Sequence, residues 1–255
     1  MPLEARFELA KEAGFEGIEI RGDEETISSD GRLAELLELS KRTVPITSIM
    51  AAVGWRPSLT DPDEATRRRA VELFQQTIRA AAKVGADAIL VVPGVVNDQV
   101  SYAQAWDRSM AGIRAMTTTA EEHGIYLGVE NVWNKFLLSP LEMAQYVDEF
   151  SSPFVKAYLD VGNMLFYGFP QDWIRTLGSR IVRVHVKDFK LERGKGQFFW
   201  RNLGEGDVDW PEVRKALADV NYRGWVTTEI DGGDTAYLKD VVRRLDRIFA
   251  GQKPM

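Results

Sequence analysis

Short apolar runs alternate along the chain with longer segments in which apolar residues recur at helical spacing. Most of the short runs are rich in β-branched residues, as strands usually are. Helix-length segments between strands favour consecutive βα units and a parallel sheet. The seven predicted strands lie at 17–21, 44–53, 86–94, 124–131, 155–163, 180–188 and 225–230.

The predicted helices carry start and stop signals. The segment DPDE at 61–64 predicts an N-cap at Asp61, followed by proline at the first helical position and glutamate three residues after the cap. Gly85 is predicted to end this helix, since glycine tolerates positive φ. The segment at 139–142 repeats the start signal, and no linker rich in proline or serine follows. We therefore expect residues 1–255 to form a single domain.

Seven strands separated by helices in 255 residues favour a (β/α)8 TIM barrel over an open doubly wound sheet. One strand is missing from this count. The chain opens with a helical pattern that includes Leu3 and Phe7 and stops at Gly14, where a strand would normally come first. We expect a shortened N-terminus, although seven strands closed by another element would also fit. An unpaired edge beside the gap favours a partner subunit, and thus a homodimer or homotetramer.

Composition and charge exclude several classes of protein. The formal net charge is −6, which argues against a nucleic-acid-binding role. No apolar run approaches the length of a membrane span, and no signal peptide is visible, so a cytoplasmic protein is expected. The chain has no cysteine and two histidines, which excludes thiolate sites and a three-histidine zinc site.

Four residues that can bind a metal stand near the ends of the last four predicted strands. The active sites of barrels lie at the C-terminal ends of their strands, so these four side chains are expected to converge on one opening. Each follows an apolar run, where a lone charge would be costly to bury. The four candidate ligands are Glu130, Asp160, His185 and Glu229.

Three carboxylates and one imidazole suit a divalent cation such as Mn²⁺, Mg²⁺, Co²⁺ or Zn²⁺. Each residue taken alone also has a structural interpretation. Asp160 could stabilise a turn through its own backbone, and His185 could be a hydrogen-bonded core histidine. The metal site is favoured because four such residues occur on successive strands.

Several motifs resemble those of the sugar phosphate isomerase/epimerase superfamily, the xylose isomerase-like TIM barrels. The similarity covers most of the chain and is closest to the L-ribulose-5-phosphate 3-epimerase branch, also called L-xylulose-5-phosphate 3-epimerases. Free-ketose 3-epimerases usually carry histidine at the position of Asn163, which weakens that alternative. The motifs are AGFEGIEI, GVEN, LDVGN, HVKD, GEGDVDW and TTEI, in the order and spacing of the superfamily.

The resemblance implies an epimerase or isomerase of a ketose or ketose phosphate that depends on one divalent metal ion, with Mn²⁺ expected first. It makes Glu130, Asp160, His185 and Glu229 the metal ligands, and Glu130 and Glu229 the catalytic acid and base. A divalent cation would polarise the C2 carbonyl, so that the proton on C3 becomes acidic enough for a carboxylate base. Two carboxylates on opposite faces of the substrate could then invert C3.

Further residues are candidates for substrate binding. Asn131 and Trp133 follow Glu130, and a basic stretch at 187–201 is predicted to form a loop over the barrel mouth. Solvated charges and a surface loop anchored by one tryptophan are the structural alternatives. Asp188 is expected to support the metal site from behind its ligands. The complete set for substrate binding is Glu19, Trp55, Asn131, Trp133, Asn163, Lys187 and Arg193.

A lyase or dehydratase acting on a keto-sugar, keto-inositol or 3-keto glycoside is the alternative function. Its first step, proton abstraction beside a carbonyl, needs the same site. An aromatic barrel mouth would suit a large aglycone, and the candidates for it are Trp55, Trp133, Phe136, Phe198, Phe199 and Trp200. A three-metal nuclease on the same barrel is disfavoured by the two histidines and the negative charge.

Overall fold

The structure, a computed structural model, describes residues 2–254. All seven predicted strands are present and form one parallel sheet in the order β1-β2-β3-β4-β5-β6-β9, so the prediction of a TIM-barrel fold is confirmed. The strands are β1 (Ile18–Gly22), β2 (Ile46–Ala51), β3 (Ala88–Val91), β4 (Tyr126–Glu130), β5 (Val155–Asp160), β6 (Ile181–Val186), β7 (Asp188–Glu192), β8 (Gln197–Arg201) and β9 (Val226–Thr228).

Helices connect successive strands of the barrel and cover its outer face. In the described part of the chain, β1 and β9 are the outermost strands of the sheet, on either side of the gap expected from the sequence. The helix α1, which opens the chain, packs against α9, the last helix. The helices are α1 (Leu3–Ala13), α2 (Glu24–Ile27), α3 (Asp30–Arg42), α4 (Glu64–Val84), α5 (Tyr102–His123), α6 (Pro140–Asp148), α7 (Pro170–Leu177), α8 (Trp210–Asp219) and α9 (Thr235–Phe249).

The predicted helix boundaries agree with the structure except at the start of α4. The N-cap is Asp63, whose side chain accepts the backbone N–H of Thr66, so the prediction of Asp61 was wrong. Asp61 instead accepts the N–H of Asp63, which forms a turn ahead of the helix. Gly85 ends α4 with φ of 82°, a left-handed conformation that glycine adopts without strain.

Side chains along each strand point alternately outward to the helices and inward to the barrel interior, so the protein has two apolar layers. Ala157 and Leu159 on β5 pack outward in the main core shared with the helices, whereas Tyr158 points into the barrel. Inside, Tyr158 packs with Leu90 and Val92 in a smaller cluster. Successive side chains of a strand point to opposite faces, so the residues two positions from Tyr158 also face the interior. Asp160 is one of them, which places its carboxylate at the mouth.

Gly128 on β4 makes room for the ring of Tyr158 inside the barrel. A Cβ atom at position 128 would lie 2.8 Å from Cδ2 of Tyr158, closer than side-chain atoms normally approach. The absence of a side chain therefore lets the tyrosine lie across the barrel interior, where its hydroxyl reaches Glu19 on the opposite wall.

The basic stretch at 187–201 is an antiparallel hairpin rather than an irregular loop. β7 pairs with β8 from Asp188 opposite Arg201 to Glu192 opposite Gln197. The turn between them ends at Gly196, whose φ of 62° is left-handed. Apolar side chains in β7 and β8, which pack against Trp133 and one another, explain why this segment is ordered. Among residues 2–254, no helix is both long and apolar enough to span a membrane.

We predict that the protein associates into homodimers or homotetramers, since strand edges without a partner are prone to pairing or coverage. Sedimentation velocity at micromolar concentration is the measurement. A monomer throughout that range would contradict the prediction.

Candidate metal centre

Four side chains from successive barrel strands meet at the mouth. Glu130 ends β4, Asp160 ends β5, His185 lies near the end of β6, and Glu229 follows β9. One ligand atom from each lies within 4.8 Å of all the others. The parallel sheet explains this convergence, because the C-terminal ends of its strands all reach the same end of the barrel.

The cluster is closed on three sides and open on one. Asp160 and His185 are fully buried, and Glu130 is nearly so. The side chain of Glu229 is 40% exposed, so the cluster faces solvent on the side of Glu229. Nδ1 of His185 lies 3.2 Å from Oε1 of Glu130 and 3.8 Å from Oε2 of Glu229, which directs this nitrogen into the cluster.

The other imidazole nitrogen of His185 is held by Glu19. Nε2 lies 2.9 Å from Oε1 of Glu19, while Oε2 of Glu19 accepts hydrogen bonds from the hydroxyls of Tyr158 and Ser48, both at 2.6 Å. A proton on Nε2 therefore has a dedicated acceptor, and the lone pair of Nδ1 can be directed at a cation. Metal-binding histidines are commonly oriented by a carboxylate in this way. Glu19 does not line the cavity at the cluster.

Nearby carboxylates together affect the pKa of His185 more strongly than burial does. Burial opposes the charged form of His185, but attraction to Glu19 and hydrogen bonding to Glu130 together outweigh it and raise the pKa of His185. Burial likewise opposes the charge of Glu19. The attraction of His185, with hydrogen bonds from His185, Ser48 and Tyr158, prevails and lowers the pKa of Glu19. The two groups therefore each stabilise the charged form of the other.

The negative charges of Glu130, Asp160 and Glu229 are only partly compensated by nearby positive groups. Burial raises the pKa of Glu130 to about 7, against the lowering effect of His185, and the charges of Asp160 and Glu229 raise it further. Burial also raises the pKa of Asp160, because Lys187 and His185 compensate only in part. For Glu229, attraction to Lys187 and His185 outweighs burial and lowers the pKa.

The donor set fits a divalent metal ion. Oδ2 of Asp160 is buried and receives no hydrogen bond within the described residues. Nζ of Lys187 lies 2.8 Å from that oxygen, an ion-pair distance without hydrogen-bond geometry. The ammonium of Lys187 is shared between Asp160 and Glu229, so this buried oxygen of Asp160 still lacks a hydrogen bond of its own. Three carboxylates and an imidazole within 4.8 Å can supply a divalent cation with hard and borderline ligands.

Lys187 supplies the positive charge on the open side of the cluster. Its ammonium donates to Oε2 of Glu229 at 2.5 Å and lies 5.8 Å from the ring centroid of Trp200. The side chain is 9% exposed, so it is one of the few cations buried in this protein. Lys187 also lines the cavity, where a substrate oxygen could reach it.

Two asparagines fix the loops that follow β4 and β5. The side chain of Asn131 accepts the backbone N–H of Asp160 and donates to its carbonyl, both at 2.9 Å. Asn163 donates to the carbonyl of Asn131 and lines the cavity. Asn131 is buried and does not line the cavity. In this structure it holds the backbone of Asp160, a candidate ligand.

A cavity of about 970 Å³ opens above the cluster. Small-molecule sites typically occupy about 300–1,000 Å³, so a sugar would fit with room to spare. Trp133 and Trp200 form one wall, stacked at 20° with 6.3 Å between ring centroids. Trp55 lies on the lining as well. Phe136 is buried in a separate aromatic cluster and does not reach the mouth.

Two of the candidate residues make their contacts elsewhere. Asp188 accepts hydrogen bonds from the backbone N–H groups of Gly204, Gly206 and Val208 and from the indole N–H of Trp210. It therefore holds the segment 204–210 beside the cavity, and none of its described hydrogen bonds goes to a candidate ligand. Arg193 lies in the hairpin turn, donates to the carbonyl of Leu165 and is absent from the cavity lining.

Sequence reasoning missed Tyr158 and Ser48, the two hydroxyl donors to Glu19. The signal was available for Tyr158, because it stands two residues before Asp160 and must share its face of β5. Ser48 lies opposite Glu19 in the register of β1 and β2, which becomes visible only when the strands are paired.

We predict that Glu19→Gln weakens divalent-metal affinity by about 10–100-fold, because the amide cannot hold the imidazole as the carboxylate does. Isothermal titration with Mn²⁺ measures the change, and Glu35→Gln on the surface of α3 is the control. Equal affinities for wild-type protein and Glu19→Gln, both folded by circular dichroism, would contradict the assigned role of Glu19.

We further predict that metal affinity rises with pH. The raised pKa values of Glu130 and His185 mean that the metal-free cluster still holds protons at neutral pH, and these must leave when a cation binds. The dissociation constant for Mn²⁺ should fall by at least about tenfold from pH 6 to pH 8. A dissociation constant that is the same at both pH values would count against the assigned ligands.

Comparison with known proteins supports the barrel fold and identifies relatives. SgbU of Escherichia coli K12, provisionally named an L-ribulose-5-phosphate 3-epimerase, is 30% identical over 233 residues, which cover 86% of this chain and 80% of SgbU. D-psicose 3-epimerase of Agrobacterium fabrum is 27% identical over 238 residues, with 87% and 77% covered. The crystal structure of YcjR, a 3-keto-D-glucoside 4-epimerase from Escherichia coli, matches the fold with a TM-score of 0.80 at 20% identity, covering 96% and 95% of the two chains.

These relatives confirm the resemblance to L-ribulose-5-phosphate 3-epimerases and the prediction of an isomerase. The model of one family, the xylose isomerase-like TIM barrels, matches residues 7–248, nearly the whole chain. The chain belongs to the xylose isomerase-like TIM barrel family.

Proposed function

We propose that the protein is a divalent-metal-dependent 3-epimerase of a ketose or ketose phosphate, with Mn²⁺ as its metal. The observation that supports this most directly is the cluster itself. Two glutamates, one at the end of β4 and one after β9, flank a buried aspartate and histidine at the base of a sugar-sized cavity. The names of the sequence relatives, which include ketose and ketose phosphate 3-epimerases, support the same substrate class.

Epimerisation requires a proton to leave C3 on one face and return on the other. Glu130 and Glu229 are the two carboxylates assigned to this exchange. The four clustered residues would hold a divalent cation, which would stabilise negative charge developing on the substrate oxygens and so make the proton on C3 acidic enough for a carboxylate. One glutamate then accepts the proton while the other, carrying its own proton, delivers it to the opposite face.

The environments of the two glutamates differ in the way that such an exchange needs. Burial raises the pKa of Glu130 to about 7 in the absence of metal, and the same burial would oppose the full loss of its basicity when a cation binds. Attraction to Lys187 and His185, against burial, lowers the pKa of Glu229, which keeps it ready to accept one. The roles exchange when the reaction runs in reverse, as an epimerase must also work in that direction.

Lys187 and Asn163 are assigned to substrate hydroxyls. Both line the cavity beside the cluster, and both are buried and already oriented by other polar groups. Pre-oriented donors lose little entropy when a hydroxyl replaces water. Trp133 and Trp200 form an apolar wall against which the carbon face of a sugar can pack.

A lyase that cleaves a 3-keto glycoside is the second candidate. The specific observation in its favour is the aromatic wall, where Trp55 and Trp200 are each about half exposed at the cavity. Such a surface suits an aromatic aglycone better than a small sugar. Release of an aromatic product from a 3-keto glycoside, followed by absorbance, would favour this reaction over epimerisation.

We predict that Glu229→Gln remains folded and loses at least about 1,000-fold in turnover, because the amide can neither accept nor deliver the proton. The measurement is chromatographic separation of ketose epimers after incubation with Mn²⁺-loaded protein. Metal content is determined on the same sample, so that loss of the ion is told apart from loss of the proton carrier.

Glu205→Gln is the matched control for this variant. Glu205 contributes a carboxylate to the same cavity but is not one of the four clustered ligands, and it pairs with Arg244 instead. This control should retain most of the activity. Near-wild-type activity in Glu229→Gln would rule out the proposed acid–base pair.

A further inference from the structure

A second cavity, of about 750 Å³, lies beside the one at the metal centre. The two cavities share Met50, Ala51 and Trp55, so only the tip of β2 and one indole ring separate them. The second cavity extends between the loop after β2 and the loop that contains Val95 and Val100. A ligand seated over the metal centre could therefore extend past Trp55 into this space.

The charges of the two cavities are opposite. Five acids and two bases line the cavity at the metal centre. The second cavity is lined by two arginines, Arg21 and Arg56, and by a single acid, Asp61. A carboxylate oxygen of Asp61 accepts the N–H of Asp63, so this acid is engaged in the turn before α4. An anion would be repelled from the carboxylates of the first cavity and attracted into the second.

Neither Arg21 nor Arg56 has an ion-pair partner within residues 2–254. Most other arginines that contact carboxylates here do so on the surface, as Arg32 does with Glu35. An arginine at a cavity wall without a carboxylate retains its full set of donors. Its guanidinium can bind two oxygens of one anion at once.

The position of Arg21 links the second cavity to the catalytic site. Glu19, two residues earlier on β1, contacts His185 inside the barrel. Residues two apart share a face of a strand and lie about 6.6 Å apart. Arg21 therefore lies on the same face of β1 as Glu19 and closer to the barrel mouth. Its partner in the register of β1 and β2 is Met50, which lines both cavities.

We propose that the second cavity binds a terminal oxyanion of the substrate, with Arg21 and Arg56 as its ligands. The substrate class is a ketose whose end distant from the carbonyl carries a phosphate monoester or a carboxylate. The carbonyl end lies over Glu130 and Glu229, and the anionic end passes Trp55 to reach the arginines. This proposal rests on the proposed function for the orientation of the substrate, but the anion site itself does not.

Binding of inorganic phosphate to metal-free protein tests the anion site without any turnover. Isothermal titration after treatment with EDTA should show phosphate binding that weakens by about tenfold or more in both Arg21→Gln and Arg56→Gln, because each loses a bidentate donor. Arg32→Gln, which removes an arginine from the surface of α3, is the control and should bind like wild type. Unchanged binding in both cavity variants would overturn the proposal.

Kinetics on matched substrates then locate the anion site relative to the reaction. With a ketose phosphate or a keto-sugar acid, the KM of each arginine variant should rise about tenfold or more while kcat stays within about twofold, the pattern expected when uniform binding is lost. The KM for the uncharged ketose should not change. Whichever charged substrate shows the larger effect identifies the oxyanion as phosphate or carboxylate.

The two hypotheses fail in different ways. Phosphate binding that depends on Arg21 and Arg56, in a protein that epimerises no ketose, would contradict the proposed function and leave the anion site intact. Epimerisation with equal effects of the arginine variants on charged and uncharged ketoses would overturn the anion site and leave the proposed function intact.

Discussion

The burial of like charges at one end of the barrel is the constraint on which the rest of the site depends. Glu130 and Asp160 lie almost without solvent, with Glu229 beside them. Carboxylates in such a position repel one another and lose hydration, and positive charge must compensate. His185 and Lys187 supply part of it. One ammonium is shared between Asp160 and Glu229, and a divalent cation would supply the remaining positive charge.

Much of the surrounding structure positions these few groups. Gly128 leaves space for Tyr158, whose hydroxyl holds Glu19, which in turn holds His185. Asn131 braces the backbone of Asp160 from the neighbouring strand. Side chains locked by packing and hydrogen bonds need little reorganisation when substrate arrives, and this preorganisation is the main contribution a scaffold can make to catalysis. These contacts hold Asp160 and His185 in place in the absence of any ligand.

The sequence predicted the parts of this protein that follow from periodicity and strand order. Because parallel strands end at one edge, strand order alone places the four candidate ligands together. The predicted N-cap of α4, Asp61, was wrong because a second acid, Asp63, stands two residues later and caps the helix instead. The sequence did not predict the hairpin at 187–201 or the hydrogen bonds that Asp188 accepts from the segment 204–210. Both depend on contacts between residues far apart in the chain, which the local sequence pattern does not show. The sequence favours basic residues of the stretch 187–201 as substrate ligands, whereas Arg21 and Arg56, which have no ion-pair partner among the described residues, line the second cavity.

The proposed function requires this cluster to move a proton at C3 of a ketose. The most direct measurement is proton NMR in D₂O, with Mn²⁺-loaded protein and a panel of ketoses and ketose phosphates, alongside a sample treated with EDTA. We expect deuterium at C3 in both the recovered substrate and a new C3 epimer, and no incorporation after chelation. Failure to exchange the C3 proton of any ketose, in a sample shown to contain metal, would contradict it.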